Sequence, residues 1–167
     1  MSLLWWLIEN RQTMGPFVES ILLVEDDHND EQLLRRAFNK AGIAMPVKTV
    51  RNGDEAVAYL EGESPYNNRA EHPYPGIVIL DLKLPRRSGF EVLEWIRTRT
   101  NDTKLLPVVV LSSSSVAKDV NRAYSLGANS YLSKPYRSAE FMELAQKFRD
   151  YWLQINEDPF ISPNVSA

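Results

Sequence analysis

The amino-acid sequence predicts an α/β fold built on one doubly wound parallel sheet. Apolar runs of strand length, without polar alternation, are typical of strands buried on both faces. They alternate with segments whose apolar residues recur at helical spacing, and five such units fill residues 20 to 151 of the 167-residue chain. This length suits one domain, and right-handed crossovers then favour the strand order 2-1-3-4-5.

The first unit begins with the apolar run ILLV, which ends in three consecutive acidic residues at positions 25 to 27. Asn29 followed by Gln32 has the spacing of a helix start, so the first helix is expected to begin there. An apolar stripe follows at helical spacing, and Gly42 is expected to end the helix.

The second unit has a short strand over residues 47 to 50. Asn52 and Glu55 have the spacing of a helix cap, which predicts a second helix to about residue 60. The polar loop at residues 61 to 75 contains three prolines and two asparagines. Long loops are either functional or loosely ordered, and this composition favours a loosely ordered loop.

The other three strands are expected to end at Asp81, Ser112 and Lys134, with Pro135 turning the chain after the last strand. Their helices are predicted over residues 89 to 99, 116 to 126 and 138 to 154.

The two ends of the chain lack this pattern. We expect a domain at residues 20 to 152, an N-terminal extension at residues 1 to 19 and a loose C-terminal tail at residues 153 to 167. The extension contains LLWWLI, which is far shorter than a membrane span and unlike a signal peptide. It is compatible with an added helix, a dimer contact or residues upstream of a start at Met14. The chain is expected to be cytoplasmic.

Composition excludes several classes of function. A net charge of −3 gives no electrostatic reason to bind nucleic acid or an anionic membrane. The absence of cysteine excludes disulfides and thiolate metal sites. His28 and His72 lie beside loop-forming residues and are interpreted as solvated.

The strand ends carry the candidate chemistry. In this strand order the first and third strands are neighbours, so Glu25, Asp26 and Asp81 meet at one edge of the sheet. Their repulsion calls for a cation, and hard oxygen ligands select Mg²⁺ or Mn²⁺. A carboxylate beside a bound phosphate can act as a nucleophile, while Lys134 and Ser112 offer a positive charge and a hydroxyl donor.

Each of these residues has a structural alternative when it is taken alone. Aspartates such as Asp81 cap turns after strands, and acidic residues suit a helix N-terminus. The serine run at residues 112 to 115 could serve as a loop and a helix cap. Lys134 could be an ordinary surface lysine, and Tyr131 could be a half-buried aromatic residue of a strand. Only their joint placement favours a phosphoryl site.

Four motifs in order, VEDD, LDLKLPRRSGFEVL, VVVLSS and YLSKP, resemble the receiver domain of two-component response regulators. The resemblance covers residues 20 to 151 and implies a flavodoxin-like fold. The long loop at residues 61 to 75 is similar to that of stand-alone regulators paired with phytochrome-type histidine kinases. The family catalyses only its own aspartyl phosphorylation and dephosphorylation, so the chain is not expected to be an enzyme in the usual sense.

The resemblance also implies residue roles. Asp81 corresponds to the phosphoacceptor, with Ser112 and Lys134 as its catalytic partners and a cis peptide before Pro135. Mg²⁺ is expected on Glu25, Asp26, Asp81 and the backbone carbonyl of Lys83. Ser112 and Tyr131 correspond to the switch pair. The expected partners are a histidine kinase or phosphotransfer protein and a downstream protein target. The apolar N-terminus, separately from the resemblance, makes a homodimer a further expectation.

Three other functions share some of these features. A haloacid-dehalogenase-type phosphatase needs an acid two residues after the nucleophile, where this chain has Lys83. A flavodoxin-like FMN binder needs a phosphate loop after the first strand, where EDDHND would repel phosphate. The remaining alternative is a receiver-like scaffold that binds a partner independently of phosphorylation.

Overall fold

One sheet of five parallel strands organises residues 20 to 159, the part of the chain that this computed structural model describes. The strands are β1 (Ile21–Val24), β2 (Val47–Val50), β3 (Ile77–Leu80), β4 (Val108–Ser112) and β5 (Ser130–Ser133). Their order is β2-β1-β3-β4-β5, with every neighbouring pair parallel. The predicted fold class and strand order are confirmed.

Helices cover both faces of the sheet. They are α1 (His28–Lys40), α2 (Gly53–Glu61), α3 (Gly89–Arg97), α4 (Ala117–Ser125) and α5 (Ser138–Phe148), with a 3₁₀ turn at Asp102–Leu105. One core lies between the sheet and α2, α3 and α4, and the other lies between the sheet and α1 and α5. The helical chain continues beyond α5 as a π-helical segment, Arg149–Ile155.

The apolar strands show why their sequences do not alternate. In β1, Leu22 and Val24 enter one core while Ile21 and Leu23 enter the other, and all four are fully buried. A strand between two helical layers has no solvent face, so each position favours an apolar residue. This burial fixes the strands whose carboxyl ends carry the polar residues.

Helix starts follow the sequence in one case and depart from it in another. Asn52 caps α2 as predicted, because its side chain accepts a hydrogen bond from the Glu55 N–H. The predicted start of α1 at Asn29 is wrong. Asp27 is the cap, and its carboxylate accepts from the N–H groups of Asn29 and Asp30. Several consecutive polar residues there can cap a helix, so spacing alone did not select one.

The loop between α2 and β3 is held in place, and the expectation of a loosely ordered loop is wrong. The Arg69 guanidinium donates to the carbonyls of Tyr59 and Leu60 at the end of α2 and to that of His72. The His72 ring meets those of Tyr59 and Tyr66 edge-on, so it is not a solvated loop histidine. His28, by contrast, is exposed as expected.

The division of the chain into an extension, a domain and a tail stays a prediction. The N-terminal extension lies outside the described residues, as do residues 160 to 167. Within the predicted tail, residues 153 to 155 are helical and Leu153 is buried.

Among residues 20 to 159 the cis bond precedes Pro65, so the expected cis bond before Pro135 is wrong. No helix in this range has the length and apolar character needed to span a membrane.

Candidate functional site

The candidate site lies where β1 and β3 end side by side. Val24 pairs with Leu80, so Glu25 and Asp81 leave the sheet together, and the Asp81 N–H donates to the Val24 carbonyl at 3.1 Å. This edge is also where the winding of the sheet reverses, which is the usual ligand position in open α/β sheets. The two acids are therefore brought together by the strand ladder itself.

Three carboxylates form a compact group at this edge. One oxygen from each of Glu25, Asp26 and Asp81 lies within 4.8 Å of the others. Glu25 and Asp81 are buried, whereas Asp26 is exposed. An all-oxygen donor set that opens to solvent through one member fits a hard divalent cation such as Mg²⁺.

Lys134, directly after β5, supplies the cation that the protein itself brings to these acids. Oxygens of three carboxylates lie near its Nζ atom, at 2.6 Å for Glu25, 2.8 Å for Asp81 and 2.9 Å for Asp30. The Lys134 N–H donates to the Ser112 carbonyl at 2.9 Å, which extends the β4–β5 ladder and fixes the start of the side chain. Asp30, in the first turn of α1, was not predicted as a member of the site.

The pKa shifts reflect how one ammonium is shared. Burial raises the pKa of Glu25 to about 7, and its bonds to Lys134 only partly oppose this effect. Burial would lower the pKa of Lys134, but the hydrogen bonds that its ammonium donates to three carboxylates outweigh burial and raise this pKa. The directions are compatible because Lys134 has three anionic partners, whereas Glu25 shares its cation and also lies near the charge of Asp81. Lys134 is thus held fully charged.

Asp81 is fixed from two sides. Its Oδ2 accepts from Lys134, and its Oδ1 accepts from the backbone N–H of Lys83 at 3.2 Å. The start of α3 lies against the same segment, because the Gly89 N–H donates to the Leu82 carbonyl at 3.0 Å. The role of the Lys83 carbonyl as a metal ligand stays a prediction.

Ser112 and Tyr131 meet in the segment that follows β4. The buried Ser112 Oγ accepts from the Ser114 N–H at 3.3 Å, and the Tyr131 hydroxyl donates to the Ser114 carbonyl at 2.7 Å. The Ser114 hydroxyl in turn donates to Asp119 in α4 at 2.6 Å. Burial raises the pKa of Tyr131, so its hydroxyl stays protonated. The sequence had marked the first pair, but neither Ser114 nor Asp119.

The arrangement suits chemistry on an anionic group. A buried carboxylate lies beside a charged lysine, two further acids able to hold a cation, and a strand-end serine. Reacting phosphate oxygens need a positive charge and hydroxyl donors near a nucleophile, and these side chains supply both. The catalytic, switch and ligand roles of the individual residues remain predictions.

Comparison with known proteins identifies the family. The family model of the response regulator receiver domain matches residues 21 to 146. The chain belongs to this family. It is therefore a receiver domain of two-component signalling, a class of proteins that are generally signalling modules and not enzymes.

Relatives of this receiver domain share most of its length. It is 37% identical over 144 residues to the probable methanogenesis regulatory protein FilR2 of Methanothrix harundinacea, which covers 86% of this chain and 88% of FilR2. It is 35% identical over 134 residues to response regulator Rcp1 of Synechocystis, which covers 80% of this chain and 88% of Rcp1.

Solved structures agree with the fold of this receiver domain. The phosphorylated cyanobacterial phytochrome response regulator RcpA gives a TM-score of 0.78 at 34% identity, covering 86% of this chain and 99% of RcpA. The Mn²⁺-bound form of Rcp1 gives 0.77 at 34% identity, covering 85% of this chain and 99% of Rcp1. The predicted similarity to phytochrome-associated regulators is confirmed.

Proposed function

We propose that this receiver domain accepts a phosphoryl group on Asp81 from a histidine kinase or phosphotransfer protein. The surroundings of Asp81 support this function. Its buried carboxylate receives hydrogen bonds from Lys134 and the Lys83 N–H, at a sheet edge shared with Glu25 and Asp26. A nucleophile and the positive charge for an incoming phosphoryl group are therefore already adjacent.

The reaction is a transfer between two nucleophiles. An Asp81 oxygen attacks the phosphorus of a phosphohistidine, and the new P–O bond forms as the P–N bond breaks. The electron pair of that bond stays on the imidazole nitrogen of the partner. Lys134 offers its ammonium to the phosphoryl oxygens and Ser112 its hydroxyl, and both stabilise the charge on the transferring group.

Mg²⁺ fits the donor set of this site. Glu25, Asp26, Asp81 and the Lys83 carbonyl would hold the ion, which when bound neutralises charge on the phosphoryl oxygens. The Mn²⁺-bound form of Rcp1 supports a divalent-cation site in this chain by similarity. The protein's own part is to keep these oxygens together at the strand ends.

Output begins in the segment after β4. A phosphoryl group that draws the Ser112 hydroxyl toward it moves Ser112 Oγ away from the Ser114 N–H, which donates to that oxygen. The Ser114 carbonyl also accepts from the Tyr131 hydroxyl in β5, and the Ser114 hydroxyl donates to Asp119 in α4. A shift of Ser114 therefore changes contacts with both elements. We propose that phosphorylation shifts an existing equilibrium between two arrangements of this segment. A downstream protein would bind one of these arrangements, or the phosphoryl group would be relayed to a further protein.

The test is intact mass after incubation with acetyl phosphate, with and without Mg²⁺. We expect one Mg²⁺-dependent phosphoryl addition in the wild type and none in Asp81→Asn. Asp54→Asn is the matched control, because Asp54 pairs with Arg87 and not with Lys134. Absence of addition to the wild type, under conditions that phosphorylate another receiver domain, would favour the scaffold function instead.

A further inference from the structure

We infer that Asp30 is a positioning residue for Lys134, and that it is the carboxylate which an incoming phosphoryl group displaces from the ammonium. The inference rests on the proposed function and deepens it. Its basis is the juxtaposition of three carboxylate oxygens around one Nζ atom. An ammonium has three N–H donors, so each of them is matched by one acid and none is left for a phosphoryl oxygen.

The three acids differ in what their release would cost. The side chains of Glu25 and Asp81 are 3% and 6% exposed, whereas that of Asp30 is 33% exposed. Asp81 is the proposed nucleophile and its carboxylate becomes the acyl phosphate, so the comparison is between Glu25 and Asp30. A buried carboxylate such as Glu25 loses more than an exposed one when it gives up a cation partner. The partly exposed Asp30 carboxylate can be hydrated by solvent when it separates from Lys134. The exchange is therefore least costly at Asp30.

The position of Asp30 also keeps the exchange separate from the metal donors. Asp30 lies in the first turn of α1, where its N–H is bonded by the Asp27 cap at 3.2 Å. It is not one of the three acids whose oxygens cluster within 4.8 Å. Its release would leave the cluster and the pairing of Lys134 with Glu25 intact. Asp30 thus holds the ammonium in place until a phosphoryl oxygen takes over.

This exchange has a kinetic consequence. If an anionic phosphodonor must compete with Asp30 for Lys134, removing the Asp30 charge lets the donor bind at a lower concentration. One partly exposed ion pair corresponds to about a three- to fivefold change in an apparent binding constant. We expect the half-saturating acetyl phosphate concentration to fall by this factor in Asp30→Asn. The fall should be at least as large in Asp30→Ala, because alanine removes the hydrogen-bond acceptor that asparagine still offers to Lys134.

The experiment measures the initial phosphorylation rate of the full chain against acetyl phosphate concentration at saturating Mg²⁺. The matched control is Asp54→Asn, which removes the same charge from the first turn of α2 without touching Lys134. A fall in the half-saturating concentration specific to the Asp30 variants supports the inference. An unchanged or raised value, or an equal fall in Asp54→Asn, overturns it.

A double-mutant cycle separates a specific contact from a general effect of charge or folding. If Asp30 acts through the ammonium, Asp30→Asn should have no effect on the half-saturating concentration in a Lys134→Ala background. An equal effect in both backgrounds overturns the inference. If the wild type takes up no phosphoryl group, or if Asp81→Asn does, the proposed function itself fails. The two failures are therefore distinguishable.

Discussion

The ammonium of Lys134 is outnumbered by the acids around it. Glu25, Asp30 and Asp81 contact it directly, and Asp26 lies in the same group of oxygens. Two like charges about 4 Å apart repel by roughly 4 kcal/mol at the effective dielectric of a protein surface. Burial raises the pKa of Glu25 to about 7, the bond to Lys134 only partly opposes this rise, and the charge of Asp81 adds a smaller increase. The acids at the site carry more negative charge than Lys134 neutralises, which favours the binding of a further cation.

Glu31 lies one residue beyond Asp30 but has the opposite electrostatic setting. Burial alone would raise its pKa, but hydrogen bonds outweigh burial and lower this pKa to about 2. The donors are Thr49, Arg35 and Arg51. Since the carboxylate form is favoured in the folded state, Glu31 stabilises the protein at pH values above the unfolded pKa, near 4.5. That stabilisation is lost as the pH falls from about 5 toward 2.

We therefore expect Glu31→Gln to lower the free energy of unfolding at pH 7 by about 1 to 2 kcal/mol, a value reduced for the partial exposure of both arginines. Urea denaturation of both proteins from pH 7 to pH 3 measures the difference, which should narrow below about pH 5. Glu143→Gln, which removes an exposed partner of Lys147, is the control and should have a smaller effect. A difference that does not change with pH would contradict the assignment.

Not every residue of the site could be predicted from the sequence. Glu25, Asp81 and Lys134 follow apolar strands, and parallel strands bring their carboxyl ends to one edge, so their meeting follows from the order of the strands. Asp30 lies within a helix, and its contact depends on where that helix begins. Because Asp27 is the cap, Asp30 falls in the first turn beside Lys134, a detail that a row of polar residues leaves undetermined.

The start of α3 packs directly on the segment that carries Asp81. A Cβ atom at Gly89 would lie 2.1 Å from the Asp81 carbonyl oxygen and 2.7 Å from Leu82 Cα. Both contacts are with backbone, so the helix and the segment must move apart to admit a methyl group. An alanine at this position therefore shifts the candidate nucleophile itself.

We expect Gly89→Ala to destabilise the fold by about 1 to 3 kcal/mol, as overpacking does, and to slow phosphorylation by roughly a hundredfold, since such misplacement disrupts alignment. Thermal unfolding and the acetyl phosphate assay measure the two effects. Gly42→Ala is the control, because Gly42 has a φ of +76° with no atom within 4 Å of its Cβ position. That change should strain the backbone and leave phosphorylation unchanged. A Gly89→Ala protein phosphorylated at the wild-type rate would refute this account.

The elements themselves differ in how far the sequence determines them. Strands and helices were predictable because their apolar residues repeat with a fixed period. The segment between α2 and β3 has no period, and its order comes from Arg69, which bonds the carbonyls at the end of α2 and lies over the rings of Tyr59 and Tyr74. Such contacts depend on chain reversals that composition does not encode. Polar composition alone therefore gave the wrong expectation for this loop.

The sheet links the candidate metal site to the stability of the folded chain. The acids converge only in the folded chain, because the pairing of β1 with β3 places Glu25 beside Asp81. An unfolded chain has no such cluster to offer a divalent cation. An ion that binds the folded state alone must stabilise it by mass action. The proposed magnesium site is thus testable without any phosphodonor.

We expect Mg²⁺ at ten times its dissociation constant to stabilise the wild type by about 1.4 kcal/mol, which raises Tm by roughly 3 to 6 °C for a domain of this size. Asp26→Asn should abolish this rise, because it removes one oxygen ligand. Asp26 is exposed, so its loss should leave the metal-free Tm nearly unchanged. Asp54→Asn changes an acid outside the cluster and should keep the full rise in Tm. A monovalent salt of equal ionic strength corrects for screening. Equal rises in all three proteins would mean that Mg²⁺ acts on general surface charge, and the assignment of Glu25, Asp26 and Asp81 as its ligands would be wrong.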